Sequence, residues 1–489
     1  MLALDTNEIQ SFVAGRWVTG AGEAIVSVCP AVPSRVVAEG PAAGAAEFDE
    51  AAAAARAAQP GWAAMPMHER GAVLLRAAAV LDAKADSWGL ELAAEEGKTK
   101  AEGVAEVRRA AQILRYYGNE GDRQSGEMFS SPRRGEHILV TRKPVGVVGV
   151  ITPFNFPIAI PAWKIAPALV YGNTVLWKPA STVPLLAMRL AQAFEAAGLP
   201  AGVLNLVVGD SRVGDAIVTD SRVDAVTFTG STGVGRRVAA AGAARGVPVQ
   251  AEMGGKNAAV VLDDADVDLA VEQVLLGAFR STGQKCTATS RLVLTDGIAD
   301  TFLSRLKNRA DALVVGDPTA DDTQMGPVVS ELAFAAISAG IGRASAQGAV
   351  TIAGGHGYAD GPLAGGYFIA PTIMELGTEA ADLWTEELFG PVLAVRRAAD
   401  IEEAFGLAND GEFGLSAAIF TKDLTQALRA VDCLDVGILH VNSESAGADP
   451  HVPFGGAKKS GLGPKEQGRA AREFFTHTTT VYLRGGEGM

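Results

Sequence analysis

Between Val145 and Glu252 short apolar runs alternate with helix-forming segments, and this alternation restricts the fold more than any other feature of the chain. Val145 to Ile151 is a continuous apolar run bounded by prolines, and Asn173 to Trp177, Leu204 to Val208, Ala225 to Thr229 and Val247 to Glu252 read as further strands. The first of them, short and apolar throughout, suits a strand covered on both faces. The segments between them read as helices. Pro184 suits the first turn of one that carries Leu186, Leu190 and Phe194 on a single face and closes at Gly198; residues 212–219 and 233–244 supply two more. Strand and helix in this order predict a parallel α/β sheet of the dinucleotide-binding, Rossmann type.

The flanking regions extend the α/β pattern. In the alanine-rich stretch 41–59, Phe48, Ala51, Ala52 and Ala55 share a face that Glu47, Asp49, Glu50 and Arg56 avoid, so a helix is expected there. A longer helical region runs through Leu74, Leu75, Leu81 and Leu90 to about Tyr117, and polar, hairpin-like pieces follow from Gly121 to Arg142. Beyond Glu252 a second α/β series begins. Asp266 caps a helix with a stripe of Val267, Val271, Val274, Leu275 and Ala278 that ends near Arg280. A strand at Arg291 to Thr295, a helix at Ile298 to Leu313, strand-like pieces near Thr351, Phe368, Val392 and Ala417, and a strand at Ile438 to Asn442 complete it. The Thr-rich tail from Phe474 to Tyr482 reads as an edge strand able to pair with another subunit.

A chain of 489 residues is long for one core, so two or three lobes are expected. Its net charge of −14 and the lack of any Lys/Arg run argue against nucleic-acid or lipid partners. There is no near-continuous apolar stretch of the ~20 residues a membrane span needs. The first residues also lack the basic start of a secretory signal, so a cytoplasmic location is expected. Cys29, Cys286 and Cys433 show no CxxC spacing and the histidines are scattered, so no metal-ligand set is expected.

Cys286, in Gly283-Gln284-Lys285-Cys286-Thr287, is a candidate nucleophile, and Glu252, beside Gly254 and Gly255, a candidate base. Thiolate attack on a carbonyl needs both a nucleophile and a group that manages protons. Asn155, between apolar residues and prolines, has an amide able to serve a backbone carbonyl or an oxyanion. After the strand Ala225 to Thr229 comes Gly230-Ser231-Thr232-Gly233-Val234-Gly235 and a helix. That turn lets backbone N–H groups approach a phosphate, but the spacing is not GxGxxG, and a tight structural turn fits equally. Lys178 and Ser181 end another strand, where they either hold ribose hydroxyls and phosphate or are solvated.

Pro153-Phe154-Asn155-Phe156-Pro157, Lys178-Pro179-Ala180, Phe228-Thr229-Gly230-Ser231-Thr232, Glu252-Met253-Gly254-Gly255-Lys256, Gly283-Gln284-Lys285-Cys286, Glu386-Glu387-Leu388-Phe389-Gly390-Pro391 and Pro453-Phe454-Gly455-Gly456 follow one another along the chain. In order and separation they resemble the aldehyde dehydrogenase superfamily from end to end. The resemblance implies that Cys286 forms a thiohemiacetal and then a thioester, that Asn155 and the Cys286 N–H stabilise the oxyanion, and that Glu252 activates the hydrolytic water. It also implies NAD or NADP contacts from Thr152, Phe154, Lys178, Ser181, Gly230, Ser231, Val234, Glu387 and Phe389, and substrate contacts from Phe156, Trp163, Arg280 and Phe454. The implied layout is an NAD(P)-binding domain at 1–121 and 145–254, a catalytic domain at 255–459, and an oligomerisation region at 122–144 and 474–489 that builds a homodimer or homotetramer.

Departures from the common family pattern carry further expectations. Phe154 stands where Trp is usual. Ser181 replaces the Glu that would repel a 2′-phosphate, which leaves NADP usable alongside NAD and slightly favoured. Arg280 is placed like the arginine with which succinate-semialdehyde dehydrogenases grip a substrate carboxylate, or it is a helix C-terminal cation. Trp163 instead resembles broader-range members. The segments Ile158 to Lys164, Ser281 to Gln284 and Ala446 to Phe454 are most similar to 2-oxoglutarate-semialdehyde (2,5-dioxopentanoate) dehydrogenases, with His451 expected near the tunnel mouth. A small carboxylated semialdehyde is therefore the expected substrate. A broad-range neutral aldehyde dehydrogenase, a CoA-acylating enzyme (against which Glu252 argues) and a silent scaffold are the rivals.

Overall fold

A computed structural model of the chain describes residues 6–123, 126–377 and 382–485; residues 1–5, 124–125, 378–381 and 486–489 of the expected regions lie outside it. The parallel series between Val145 and Glu252 forms the centre of an eight-stranded sheet. Its order is Gly461–Leu462, Val249–Glu252, Ala225–Thr229, Val147–Ile151, Thr174–Lys178, Leu204–Leu206, Ser11–Val13 and Arg16–Val18. The middle strands are parallel and the outer ones antiparallel. From Val147–Ile151 the chain first steps to one side, through Thr174–Lys178 and Leu204–Leu206, and then to the other. The order therefore reverses between Val147–Ile151 and Ala225–Thr229, and a crevice opens beyond their C-terminal ends.

Helices α1 (Ala45–Ala64), α2 (Met67–Glu96), α3 (Lys100–Gly118), α4 (Ala159–Val170), α5 (Leu185–Ala196), α6 (Ser211–Thr219), α7 (Thr232–Arg245) and α8 (Val267–Phe279) surround this sheet and lead to the next. The single helical region expected up to Tyr117 is in fact two helices. The chain turns at Gly97 and Lys98, and Thr99 opens α3 with a reciprocal cap: its Oγ1 accepts from Glu102 N at 3.3 Å, and the Glu102 carboxylate accepts from Thr99 N at 3.0 Å. The Thr-x-x-Glu signature was present in the sequence. Between the two helices the backbones nearly touch; a Cβ on Gly89 would lie 2.5 Å from Val104 N, and one on Gly103 would overlap the Gly89 carbonyl.

A seven-stranded sheet carries the second series, in the order Val350–Ala353, Thr372–Glu375, Val392–Ala398, Thr289–Thr295, Asn257–Val261, Ser416–Phe420, Ile438–Val441. All its pairings are parallel except that of the edge strand Val350–Ala353. Phe368 is not in a strand; it lies beside an isolated bridge from Gly357 to Ile369. The strands Ala24–Cys29 and Val32–Pro41 and the helices Glu331–Ala346, Ile401–Asn409 and Leu424–Cys433 were not anticipated. The tail strand begins later than expected, at Thr476, because Phe474 and Phe475 are buried in the helix Ala471–Phe475. It is the edge of a three-stranded sheet with Glu136–Pro144 and Glu127–Ser130, and exposes Met128, Phe129, Tyr482 and Leu483. No helix among the described residues is long and apolar enough to cross a membrane.

The α2–α3 seam leads to a direct test. Gly89→Ala should destabilise the fold by about 1–3 kcal/mol through overpacking. Gly342→Ala, on the helix Glu331–Ala346 with nothing within 4 Å of its new methyl, should be neutral or stabilising in the same calorimetric comparison.

Candidate functional site

The C-terminal edge of the eight-stranded sheet faces the N-terminal ends of strands in the seven-stranded one. The loop after Ile151 brings Thr152, Phe154, Asn155 and Phe156 to this junction, and the loop before Thr289 brings Cys286. The two loops are joined directly: Asn155 Nδ2 donates to the Gln284 carbonyl at 2.9 Å, which leaves its other N–H for a ligand. Asn257 Nδ2 donates to the Cys286 carbonyl at 2.8 Å, and Gln284 Oε1 accepts from Val329 N at 3.0 Å. Ahead of the thiol, Ser281 and Thr282 adopt left-handed φ values of 51° and 54°, followed by Gly283 at 67°. Such a run is costly for residues with a Cβ and persists only where the surroundings impose it. Here Ser281 N donates to Glu102 at 2.7 Å and Thr282 Oγ1 to the Gly326 carbonyl at 3.1 Å. A Cβ on Gly283 would overlap the Gly390 carbonyl.

Burial pushes the Cys286 thiol up to about 12, and the charges of Glu252 and Glu387 act in the same direction. The resting nucleophile is therefore a neutral thiol. Glu252 is buried at the end of Val249–Glu252 and accepts from Gly456 N at 3.1 Å. Burial, and then the neighbouring charge of Glu466, raise it well above the ordinary carboxyl range. Beneath it lies a buried pair that the sequence did not disclose: Lys164 on α4 is bonded to Glu466 and donates to Thr227 Oγ1 at 2.8 Å. Lys465 Nζ donates to the Gly455 carbonyl at 2.7 Å and braces the turn that holds Glu252.

A cavity of about 330 Å³ opens beside the thiol. Its wall contains Cys286, Thr287, Phe156, Trp163 and Phe454, with Lys98, Arg109, Arg280 and Lys285 as cations and Glu102, Glu106 and Glu444 as carboxylates. All the predicted substrate residues, Phe156, Trp163, Arg280 and Phe454, are in it. Trp163 and Phe454 rings stand 5.4 Å apart. Arg280 caps the end of α8, 3.2 Å from Glu444 and 3.8 Å from Glu102. Asn155 and Glu252 are not part of this wall, and neither is His451, which is exposed. Arg109, Glu102 and Glu106 were missed by the sequence reading; their one signal was a charged face at i, i+4, i+7 along α3.

The residues expected to meet a dinucleotide stand at and around the C-terminal ends of the eight-stranded sheet's strands, in different settings. Lys178 ends its strand, and burial lowers its ammonium to about 8. Glu387 is raised to about 7 by burial, accepts from Gly255 N at 2.9 Å, and needs Gly254 beside it, since a Cβ there would overlap its carboxylate. Phe389, with φ of 55°, sets its ring edge-on to Phe154 at 5.7 Å. Ser231 stands at the N-cap of α7 without a side-chain cap bond, so the N–H groups of its first turn, Val234 included, point outward. The buried hydroxyls of Thr229 and Thr232 have no protein partner. Gly230 supplies room and no donor, because its N–H is given to the Glu252 carbonyl at 3.1 Å. Thr152 is buried with its hydroxyl accepting from Trp177 Nε1 at 2.9 Å, and Ser181 is partly exposed. An unpaired helix N-terminus, orphaned hydroxyls and an acidic group at the switch point fit a dinucleotide. Among the described residues no cluster of His, Cys, Asp and Glu is gathered for a metal.

Comparison with known proteins gives consistent matches over nearly the whole chain. The sequence pattern of the Aldehyde dehydrogenase family matches residues 17–481. Alpha-ketoglutaric semialdehyde dehydrogenase of Bacillus subtilis (strain 168) is 41% identical over 482 residues, covering 98% of this chain and 99% of that one. 2,5-Dioxopentanoate dehydrogenase of Saccharolobus solfataricus is 40% identical, covering 96% and 98%. Among solved structures, betaine aldehyde dehydrogenase of Staphylococcus aureus in complex with NAD+ superposes with a TM-score of 0.93 at 31% identity, covering 97% and 94%.

The raised thiol sets a pH dependence. A group with a pKa near 12 is protonated throughout the neutral range and gains thiolate as pH rises. Iodoacetamide labelling of Cys286 in the free protein should therefore accelerate by roughly tenfold per pH unit between about pH 7 and 9 without levelling off. A plateau near neutral pH would show a thiolate already stabilised.

Proposed function

The chain belongs to the aldehyde dehydrogenase family, and we propose that it oxidises a small carboxylated semialdehyde, 2-oxoglutarate semialdehyde or succinate semialdehyde, to the corresponding acid with NAD(P). The observation that carries this reading is the cavity wall, where Cys286 is joined by aromatic rings and by four cationic side chains set among three carboxylates. Apolar walls fit a short carbon chain, and the cations fit a carboxylate at its far end. The names of two relatives, specifying 2-oxoglutarate semialdehyde under either of its names, point the same way.

In the proposed reaction Cys286 Sγ loses its proton to solvent and attacks the aldehyde carbon. The oxygen that becomes an alkoxide is received by the free N–H of Asn155 Nδ2 and by the Cys286 N–H. Their positions are set beforehand by the Gln284 and Asn257 bonds. Lys178 and Glu387 would hold NAD(P) at its ribose hydroxyls and the first turn of α7 would hold its phosphates, and the bound cofactor would supply the hydride acceptor. Loss of hydride leaves a thioester on Cys286. Glu252, released from Gly456, takes a proton from water as its oxygen attacks the thioester carbon, and the acid departs while the thiol is restored. Its raised pKa makes the ionised Glu252 carboxylate the stronger base toward that water.

For the cofactor, Ser181 and Lys178 accept NAD and NADP, with NADP favoured. Arg212, paired with Asp210 beside Lys178, adds a cation at the same sheet edge. The three-stranded sheet, with its exposed apolar side chains, is the proposed contact between copies in a dimer or tetramer.

Glu252→Gln should allow one round of acylation and block hydrolysis. A single stoichiometric burst of NAD(P)H with the acyl group retained on Cys286, detectable by mass spectrometry, is expected, followed by turnover lowered on the order of 10²-fold or more. Product formed as an acyl-CoA when CoA is supplied to the wild-type enzyme would overturn the hydrolytic assignment. A substrate panel in which neutral aldehydes match the two semialdehydes in kcat/KM would overturn the substrate class.

A further inference from the structure

We infer that the polar end of the cavity is a subsite for a 2-oxo carboxylate, in which the Arg109 guanidinium receives the carboxylate and the Trp163 indole N–H receives the 2-oxo oxygen. The inference rests on the proposed semialdehyde chemistry and assigns the residues that select it.

Charge pairing singles out Arg109 among the cations of the wall. Lys98 is fully buried, donates to Glu106 and to the Asn155 carbonyl at 2.6 Å each, and lies 3.9 Å from Glu96. Arg280 stands between Glu444 and Glu102, and Lys285 shares Glu444 at 3.4 Å. A substrate carboxylate arriving at Arg280 therefore meets two protein carboxylates already in place, and like charges repel it. Arg109 is paired with Asp449 alone, at 3.1 Å, and that pair is open to solvent, with the two side chains 39% and 60% exposed. Exposed pairs of this kind are weak and exchange readily. The guanidinium fork can then meet a carboxylate with two parallel N–H bonds.

Trp163 supplies the second, independent observation. It is 8% exposed and lines the same cavity, yet its Nε1–H has no acceptor in the protein. Buried indole N–H groups nearly always have one. A 2-oxo acid brings the missing acceptor oxygen. The two donors are also held in a fixed relation. Glu106, one turn before Arg109 on α3, accepts from Ile158 N at 3.1 Å and Ala159 N at 3.2 Å, and so clamps α3 to the start of the helix that carries Trp163.

The test is steady-state kinetics with 2-oxoglutarate semialdehyde, succinate semialdehyde and butanal for the wild-type enzyme and for Arg109→Met, Arg109→Lys, Arg280→Met and Trp163→Phe. Arg109→Met should raise KM for both acids on the order of 30-fold, more than Arg280→Met does, while the ratio to butanal falls by a similar factor. Arg109→Lys should recover part of the loss, since it keeps charge and loses the fork. Trp163→Phe keeps a ring and removes the N–H; its KM should rise about fivefold more for the 2-oxo substrate than for succinate semialdehyde. Wild-type discrimination that survives in Arg109→Met, or that disappears in Arg280→Met alone, overturns the subsite and leaves the substrate class standing. A wild-type enzyme that shows no preference for the acids over butanal overturns both. If Arg109→Met fails to fold, the Arg109→Lys and Trp163→Phe comparisons decide.

Discussion

The amide of Asn155, donating to the Gln284 carbonyl, is the link on which the geometry of the site depends. It ties the loop leaving one sheet to the loop entering the other. Both ends are secured from behind. Lys98 holds the Asn155 carbonyl and Glu106, Glu106 holds the first N–H groups beside α4, and Glu102 holds Ser281 at the strained turn before Cys286. One face of α3 thus positions the oxyanion side and the nucleophile side together. The tight α2–α3 seam at Gly89 and Gly103 keeps that face in place. Small displacements of a reacting pair cost large factors in rate, which is why such a site is built on packed helices and not on loops alone.

The same construction keeps the resting site low in charge. Burial raises Cys286, Glu252 and Glu387 and lowers Lys178, so each group is moved toward its neutral form. A neutral thiol is a poor nucleophile, so attack waits on removal of its proton. The charged residues of the substrate cavity behave differently. They form close pairs, Lys98 with Glu106 and Arg280 and Lys285 with Glu444, so the wall is polar without being strongly charged. Arg109 is the exception because its partner lies in solvent.

Much of this was legible in the chain. The short, mostly apolar runs at Val145 to Ile151 and Ala225 to Thr229 identified buried parallel strands, since a strand covered on both faces is apolar at most positions. Asp266 marked the start of α8 and Gly198 lay just past the end of α5, because capping is local chemistry. Legibility failed where periodicity ran on regardless of structure. The apolar rhythm through Leu81 and Leu90 continues into α3, and only the Thr99–Glu102 cap records the break. Phe474 and Phe475 read as strand because aromatic residues suit strands, yet tertiary burial placed them in a helix.

The sequence alone determined which residue types stand at the ends of which strands, and so where a thiol, a carboxylate, an amide and a glycine turn are offered to a crevice. Those are local properties of a strand followed by a loop. Tertiary structure decided the rest: that Glu466 raises Glu252 across the fold, that Glu444 occupies Arg280, that Gly230 has already spent its N–H on the Glu252 carbonyl, and that Arg109 and Trp163 face one cavity. A pKa, a charge pairing or an orphaned donor depends on neighbours distant in sequence, and no pattern along the chain can supply them.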